Sequence, residues 1–156
     1  MTPAITALKR QGTSYVIRRY DVANSDGRTY GETVAEAIDM PPDRVFKTLI
    51  AVLETDELVV AVVPVCRSLD LRALAAVADG KKAAMATSAK AEKATGYVTG
   101  GISPLGQRQR LRTFVDVSAR NHDAICVSAG RRGLELEIAP TVLVQHTSAV
   151  EGDLAR

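Results

Sequence analysis

The chain has few of the residues that carry common metal-dependent chemistry. Its 156 residues contain two cysteines, two histidines and no tryptophan. Cys66 and Cys126 form no C-x-x-C pair, and His122 and His146 stand at no metal-ligand spacing from them. The sequence therefore predicts neither a metal site nor a bound cofactor. Both cysteines lie in apolar stretches, which predicts buried thiols that stay reduced and unreactive.

Motifs of the large nucleophilic and nucleotide-binding enzyme classes are also missing. The sequence has no G-x-S-x-G motif, and no Walker or Rossmann glycine pattern follows a predicted strand. No Ser-His-Asp or Cys-His arrangement can be recognised. Covalent catalysis by a nucleophile of the protein is therefore not expected.

Long hydrophobic runs and an excess of one charge are lacking too. No stretch approaches the roughly 18 apolar residues of a membrane span, and the first residues do not have the pattern of a secretory signal. We therefore expect a cytoplasmic protein with no membrane partner. With 20 Lys and Arg against 18 Asp and Glu, the formal net charge is +2. Nucleic-acid binding would therefore depend on local clusters of cations.

The length and a hydrophobic content of 46% predict one compact domain over residues 1–156. Two apolar runs, at 46–53 and 58–64, are separated by four polar residues, which predicts an antiparallel hairpin at the centre of a sheet. This mixture with short helices indicates an α+β fold around a mixed or antiparallel, barrel-like sheet. Helices are predicted after Thr2, at 32–38, 71–78 and 88–95 and from Pro140, a turn at 24–27, and further strands at 15–20, 113–117, 124–128 and 134–138.

One loop combines glycines with a run of cations. Glycines without a Cβ let the backbone approach a ligand closely, and Pro104 removes one donor and fixes its own φ. The pattern is typical of a site that holds a carbonyl or phosphate oxygen, and equally of a surface turn with a solvated basic face. The loop reads Gly100, Gly101, Ile102, Ser103, Pro104, Leu105 and Gly106, with Arg108 and Arg110 close behind.

Two other positions carry chemistry in unusual surroundings. Lys47 interrupts an otherwise apolar strand, so its ammonium either reaches out to water or lies in the wall of a cleft, where it would stabilise negative charge. The second position is a glycine-flanked turn, which forms either a simple hairpin or a contact to a bound ester and its phosphates. Tyr20 and Tyr30 either line the same pocket or are half-buried packing residues. The turn contains Ser128, Gly130, Arg131 and Arg132.

Taken together, these segments resemble the YbaK family of bacterial Cys-tRNA(Pro) deacylases. The family is homologous to the editing domain of bacterial prolyl-tRNA synthetases, and the resemblance implies an α+β fold with a mixed, barrel-like sheet surrounded by short helices. It covers nearly the whole chain and is carried by the segments 1–4, 47–49, 63–65, 69–71, 95–97, 100–106 and 128–134.

The resemblance implies a trans-editing enzyme that hydrolyses cysteine mistakenly attached to tRNA(Pro), acting with prolyl-tRNA synthetase as a possible partner and without a metal. The thiol of the substrate would attack its own ester carbonyl, which accounts for the missing catalytic triad. The catalytic positions would be Lys47 and Gly101. The substrate-binding positions would be Tyr20, Tyr30, Gly100, Ile102, Ser103, Pro104, Leu105, Ser128 and Gly130, and the tRNA-binding positions Arg108, Arg110, Arg131 and Arg132.

Three positions depart from the family pattern. Tyr30 replaces a Phe, Ala129 replaces a Gly, and Glu135 replaces an Asp, and each change alters size or polarity near the expected pocket. Because one methyl group is worth about 1 to 3 kcal/mol of discrimination, these changes bear on the choice of amino acid. Two alternatives stay open: a deacylase of another small residue such as alanine that uses an activated water, and a non-catalytic module that binds tRNA or a synthetase.

Overall fold

A computed structural model describes residues 1–21 and 30–156. The turn predicted at 24–27 lies outside the described residues. In the described part, five α-helices alternate with eight short strands. The helices are α1 (Pro3–Arg10), α2 (Tyr30–Ala37), α3 (Leu71–Val77), α4 (Ser88–Thr95) and α5 (Pro140–Thr147), and the strands are β1 (Val16–Arg19), β2 (Phe46–Leu53), β3 (Leu58–Pro64), β4 (Ala83–Met85), β5 (Arg112–Asp116), β6 (Ile125–Arg131), β7 (Leu134–Ile138) and β8 (Val150–Gly152).

Capping residues explain where several helices begin and end. Thr2 precedes α1 and accepts a hydrogen bond from the Ile5 amide, while Asp70 caps α3 by accepting from the amides of Arg72 and Ala73. Helix α4 ends at Gly96, whose φ of +80° is readily adopted only without a Cβ. The predicted helix starts after Thr2 and at residue 71, and the predicted helix end at residue 95, are confirmed.

The strands form two sheets that together confirm the predicted α+β fold. The larger sheet has the order β4-β2-β3-β5-β8 and is mixed, because β2–β3 and β2–β4 are antiparallel whereas β3–β5 and β5–β8 are parallel. The smaller sheet, β1-β7-β6, is antiparallel. The predicted hairpin of β2 and β3 is confirmed. The sequence did not predict β4 and β8, because three-residue strands have no periodicity of their own and depend on pairing with a neighbour.

Among the described residues, an isolated parallel bridge between Val45 and Cys126 joins the two sheets. Beyond it, β6 leaves β2, and β4 pairs with β2 only from Ala51 onward. We call this gap between β2, β4 and β6 the fork. In the described strands the barrel-like arrangement is therefore open rather than closed. The main core fills the space between the sheets and against α1, and a second core packs beneath α3.

Hydrogen-bond register places Thr48 in the fork. The Leu53 amide bonds to Glu57 and the Val65 amide to the Val45 carbonyl, so the backbone groups of odd-numbered residues of β2 face β3. On the other edge, the Ala86 amide bonds to the Ile50 carbonyl, and the chain then turns into α4. The backbone N–H and C=O of Thr48 consequently point away from β3 and into the fork.

The two cysteines occupy different environments. Cys126 is buried, and burial raises the pKa of its thiol to about 12, so that it stays protonated. Cys66 is exposed, and the prediction that it is buried is wrong. It lies in the turn that follows β3, beyond the part of the apolar run that belongs to the sheet. None of the described helices is long and apolar enough to cross a membrane.

Candidate active site

A cavity of about 380 Å³ occupies the fork. Its lining comes from both sheets, from α2 and α4, and from the glycine loop. The residues that line it are Tyr20, Tyr30, Gly31, Val34, Val45, Phe46, Lys47, Thr48, Leu49, Ile50, Val65, Met85, Ala86, Ser88, Ala91, Thr99, Gly100, Ile102, Ser128 and Glu135.

Strand alternation divides this cavity into two halves. Successive side chains of β2 point to opposite faces, so Lys47 shares a face with Val45, which packs against α2. We call this side, with Lys47, Tyr20, Tyr30, Ser128 and Glu135, the polar half. The opposite side, which includes Phe46, Thr48, Ile50, Ala91 and Ile102 and is continuous with the main core, is the apolar half.

Lys47 lies near the beginning of β2, in the wall of the cavity, as one of its two predicted placements required. Burial lowers the pKa of its ammonium, and the nearby Cys66 and Glu32 partly offset that shift. A partly desolvated cation at this position attracts a developing negative charge more strongly than one in bulk water. The site can therefore stabilise an oxyanion.

Two tyrosines form one wall of the polar half, and an arginine packs on the ring of one of them. The hydroxyls of Tyr20 and Tyr30 lie 2.8 Å apart and share a hydrogen bond, and burial is the main cause that raises the pKa of Tyr20. The Arg132 guanidinium lies 5.0 Å from the centre of the Tyr30 ring, a cation–π contact. The hydroxyl that distinguishes Tyr30 from the Phe of the family pattern thus bonds to Tyr20.

Glu135 lies opposite Ser128 in the β6–β7 pair and is 6% exposed. Burial raises the pKa of its carboxyl to about 8, so at neutral pH the side chain is mostly protonated and can donate a hydrogen bond. The sequence marks Glu135 as a departure from the family pattern but does not identify it as a site residue. Because side chains alternate along a strand, its position between Leu134 and Leu136 predicts an outward-facing carboxylate and does not indicate a site.

The glycine loop contributes only part of its length to the cavity. Gly100 and Ile102 line it, whereas Gly101 is buried behind it: a Cβ at Gly101 would lie 2.7 Å from the Arg131 Cα. This glycine lets two turns pack against each other. The direct catalytic role predicted for Gly101 stays a prediction.

The second part of the loop is held by internal hydrogen bonds. Ser103 accepts a hydrogen bond from the Leu105 amide through its hydroxyl, and the Tyr97 hydroxyl donates to the Leu105 carbonyl at 2.6 Å. Ser103, Pro104 and Leu105 are buried and do not line the cavity. The structure therefore places these three predicted substrate-binding residues in the support of the loop.

Of Ser128 and Gly130, one lines the cavity and the other supports it from behind. Ser128 lines the cavity, and its hydroxyl accepts a hydrogen bond from the Gly130 amide at 3.1 Å. Gly130 has a φ of +112°, and a Cβ there would lie 2.7 Å from the Tyr97 ring. Gly130 therefore orients Ser128 and packs against Tyr97 instead of lining the cavity.

The four predicted tRNA-binding arginines do not form one cluster. Arg132 covers Gly100 at the cavity, since a Cβ at Gly100 would lie 2.7 Å from Nη2 of Arg132, and Arg131 is its exposed neighbour. Arg108 packs beside Gly96 at the end of α4. Arg110 lies in a separate depression and donates to the Ser148 hydroxyl at 3.1 Å. Only Arg131 and Arg132 are thus next to the cavity loop.

Sequence reasoning missed lining residues of β2, β4, α4 and the segment that follows α4. Thr48, Met85, Ser88, Ala91 and Thr99 have no distinctive motif of their own and meet only because β4 and α4 follow one another along the edge of β2. Within residues 1–21 and 30–156, no group of three or more His, Cys, Asp or Glu side chains is arranged to hold a metal ion.

Comparison with known protein families gives one match over most of the chain. Residues 24–145 match the model of the aminoacyl-tRNA editing domain. A relative from Enterococcus faecalis, EbsC, is 37% identical over 131 residues, which are 84% of this chain and 80% of the relative. The name of that relative assigns to it a provisional Cys-tRNA(Pro)/Cys-tRNA(Cys) deacylase activity.

Solved structures share the fold at low sequence identity. A provisional trans-editing enzyme for prolyl-tRNA synthetase is 20% identical, with a TM-score of 0.86 over 99% of this chain and 95% of that one. The hypothetical protein APE2540 is 21% identical, with a TM-score of 0.87 over 99% of this chain and all of the other. At these identities the similarity shows the fold alone.

Proposed function

Because the chain belongs to the aminoacyl-tRNA editing domain family, we propose that it is a trans-editing deacylase that removes cysteine from mischarged tRNA(Pro). The activity in the name of the 37% identical relative supports this substrate. The observation that carries the proposal is the cavity in the fork, where the partly desolvated Lys47 faces a small chamber of about 380 Å³. A chamber of this size suits a small aminoacyl group and the end of its ribose.

The residues around the cavity favour attack by a nucleophile of the substrate. Neither cysteine lines the cavity, the buried Cys126 thiol is protonated, and the Ser128 hydroxyl has no histidine or other base among its described hydrogen-bond partners. The thiol of the substrate cysteine gives its proton to water, and its sulfur attacks the ester carbonyl carbon. The bond to the ribose oxygen breaks, that oxygen takes up a proton, and the resulting cyclic thioester is hydrolysed by water.

The polar half supplies what this reaction needs from the protein. Lys47 stabilises the negative charge that forms on the carbonyl oxygen. The Tyr20–Tyr30 pair and the protonated Glu135 shape the wall and offer hydrogen bonds to the amino group or the ribose. Holding the thiol and the carbonyl about 3 to 3.5 Å apart makes the attack effectively unimolecular.

The tRNA body approaches beside Arg131 and Arg132 in this proposal. The Arg132 side chain and the backbone of the exposed Arg131 lie next to the glycine loop, and cations there would meet the phosphates of the terminal nucleotides. The small net charge of +2 favours weak tRNA binding, which a synthetase partner such as prolyl-tRNA synthetase would strengthen.

The proposal is tested by deacylation of tRNA(Pro) charged with cysteine, serine or alanine. We expect rapid loss of cysteine, much slower loss of serine because its hydroxyl is a weaker nucleophile, and no effect of EDTA. Cys66→Ser and Cys126→Ser should keep the activity. Equal rates on cysteine and serine would exclude attack by the substrate thiol, a preference for alanine would favour an activated water, and no hydrolysis at all would favour a binding module.

A salt series in the same assay tests the arginines. Replacing Arg131 and Arg132 together by alanine should raise KM and reduce its dependence on salt, since the salt slope falls by about 0.7 to 0.9 for every phosphate that is no longer neutralised. Arg110→Ala is the matched control, because Arg110 lies in a separate depression. An equal effect of the control variant would contradict the proposed docking side.

A further inference from the structure

Thr48 combines three features in the fork that no motif of the sequence indicates. Its backbone N–H and C=O point into the gap between β4 and β6. Its hydroxyl oxygen is buried and has no hydrogen-bond partner among the described residues. The residue lines the cavity. A buried hydroxyl without a partner costs free energy, so its retention at this position calls for a group that satisfies it.

The surroundings of Thr48 narrow down that group. Strand alternation puts its side chain on the face of Phe46 and Ile50, both almost fully buried, in the apolar half of the cavity. Ala91 and the partly buried Ile102 belong to the same half. The charged and phenolic groups lie across the fork with Lys47. An aminoacyl group that places its ester and amine in the polar half therefore directs its side chain toward Thr48.

We propose that Thr48 selects the amino acid: its hydroxyl hydrogen-bonds the thiol of the substrate cysteine and favours it over an apolar side chain of equal size. This inference rests on the proposed function for the identity of the substrate. The threonine rotamers exchange the positions of Oγ1 and Cγ2, so the hydroxyl can turn from the core toward the cavity without backbone movement. An apolar pocket alone discriminates poorly between groups of equal volume, whereas a site with a hydrogen-bonding group rejects a side chain that leaves it unpaired.

The experiment compares two ligands that differ in one group. Non-hydrolysable 3′-amide analogues of adenosine carry either cysteine or 2-aminobutyrate, in which a methyl group replaces the thiol. Their Kd values are measured by calorimetry for the wild-type protein, Thr48→Val and Thr48→Ser. Valine has nearly the shape of threonine without the hydroxyl, and serine keeps the hydroxyl without the methyl.

The wild-type protein should bind the cysteinyl amide about three- to tenfold more tightly than the 2-aminobutyryl amide, as expected for one neutral hydrogen bond. Thr48→Val should abolish this preference by weakening only the cysteinyl complex, and Thr48→Ser should keep it. A preference that survives in Thr48→Val, or an equal loss of both affinities in that variant, would overturn the role of Thr48.

Folding and catalysis are separated from recognition by two further measurements. Thr48→Val should melt no lower than the wild type, because the substitution removes a buried hydroxyl that has no described partner; a marked loss of stability would show that the hydroxyl serves the fold. Deacylation of Cys-tRNA(Pro) is followed in parallel. A wild-type protein that binds selectively but hydrolyses nothing would refute the proposed function and leave Thr48 as a recognition residue, whereas hydrolysis without a Thr48-dependent preference would refute only the inference.

Discussion

The glycine loop at 100–106 and strand β2 differ in how much of the cavity they form. The loop has the more conspicuous sequence, yet it contributes Gly100 and Ile102 and keeps Gly101, Ser103, Pro104 and Leu105 behind the wall. Strand β2 carries one unusual residue, Lys47, and contributes five consecutive residues, 46–50. The glycines of the loop therefore indicate close packing between turns, whereas the charged residue in the apolar strand β2 indicates the site.

The two regions differ because their backbones are hydrogen-bonded differently. The loop is closed by its own hydrogen bonds, such as those of Ser103 and Tyr97, and by contact with the β6–β7 turn. Part of one edge of β2 has no neighbouring strand, because β6 departs after Cys126 and β4 pairs only from Ala51. A strand that is unpaired over a short stretch inside a fold presents both faces and its edge to a ligand.

The largest effect is expected from Lys47→Ala. Loss of the ammonium should lower kcat/KM for Cys-tRNA(Pro) by about 10²- to 10³-fold, the usual effect of removing one group that stabilises an oxyanion. The melting temperature should stay near that of the wild type, since the side chain is only half-buried. Lys9→Ala, at an exposed position in the last turn of α1, is the control and should be neutral. Near-normal turnover in Lys47→Ala would contradict the assignment of the oxyanion-stabilising group to β2.

A smaller effect, on stability, is expected from Gly101→Ala. Its methyl group would meet the Arg131 backbone at 2.7 Å, so the free energy of unfolding should fall by about 1 to 3 kcal/mol, the cost typical of overpacking. Gly12→Ala is the matched control, because nothing lies within 4 Å of a Cβ there and only its φ of +63° causes strain. Denaturant titration measures both variants. A stable Gly101→Ala protein with lost activity would instead support the direct catalytic role predicted for Gly101.

The last prediction concerns the pH dependence of stability and Glu135, which lies across the β6–β7 pair from Ser128. Its folded-state pKa of about 8 lies above the ordinary value of 4.5, so between these pH values the folded protein holds a proton that the unfolded chain releases. Stability from this group is therefore complete below about pH 4.5 and falls as pH rises toward 8, by at most about 1.4 kcal/mol per pH unit. Glu135→Gln should remove that slope in denaturant titrations.

A second carboxylate provides the control for this pH dependence. Glu57 is paired with Arg112, which lowers the pKa of the Glu57 carboxyl. The stability from this pair is complete above the ordinary carboxyl range and is lost as pH falls, so Glu57→Gln should alter the slope of stability against pH only at low pH. Between about pH 5 and 8 its slope should match the wild type. If Glu135→Gln also matches the wild type there, the carboxyl of Glu135 is not held protonated by burial.

The sequence predicted the helices and strands that have a local pattern of their own. It did not predict those that form only by pairing with a distant segment. Apolar runs defined β2 and β3, and caps at Thr2, Asp70 and Gly96 defined helix ends. The parallel pairing of β3 with β5, the strands β4 and β8 and the fork arise from contacts between distant segments, which leave no local pattern.

The site residues likewise divide into those that have a local sequence signal and those that do not. Lys47 has a local signal because a charge interrupts an apolar strand, and Tyr20, Tyr30 and Ser128 came from family resemblance together with residue chemistry. The structure places all four in the cavity lining. Thr48 and Glu135 have no such signal, because threonine is common in strands and one buried carboxyl looks like a surface residue until its neighbours are known.

The bridge between Val45 and Cys126 has a consequence for amide hydrogen exchange along β2. The amides of Lys47 and Leu49 bond to β3 and should exchange only when the sheet opens, whereas the Thr48 amide between them faces the fork. One fast-exchanging amide in the middle of a slow strand would therefore mark the point where the two sheets part. A ligand bound in the cavity would slow hydrogen exchange at the Thr48 amide more than at its neighbours, so the exchange rate of this amide would measure ligand binding.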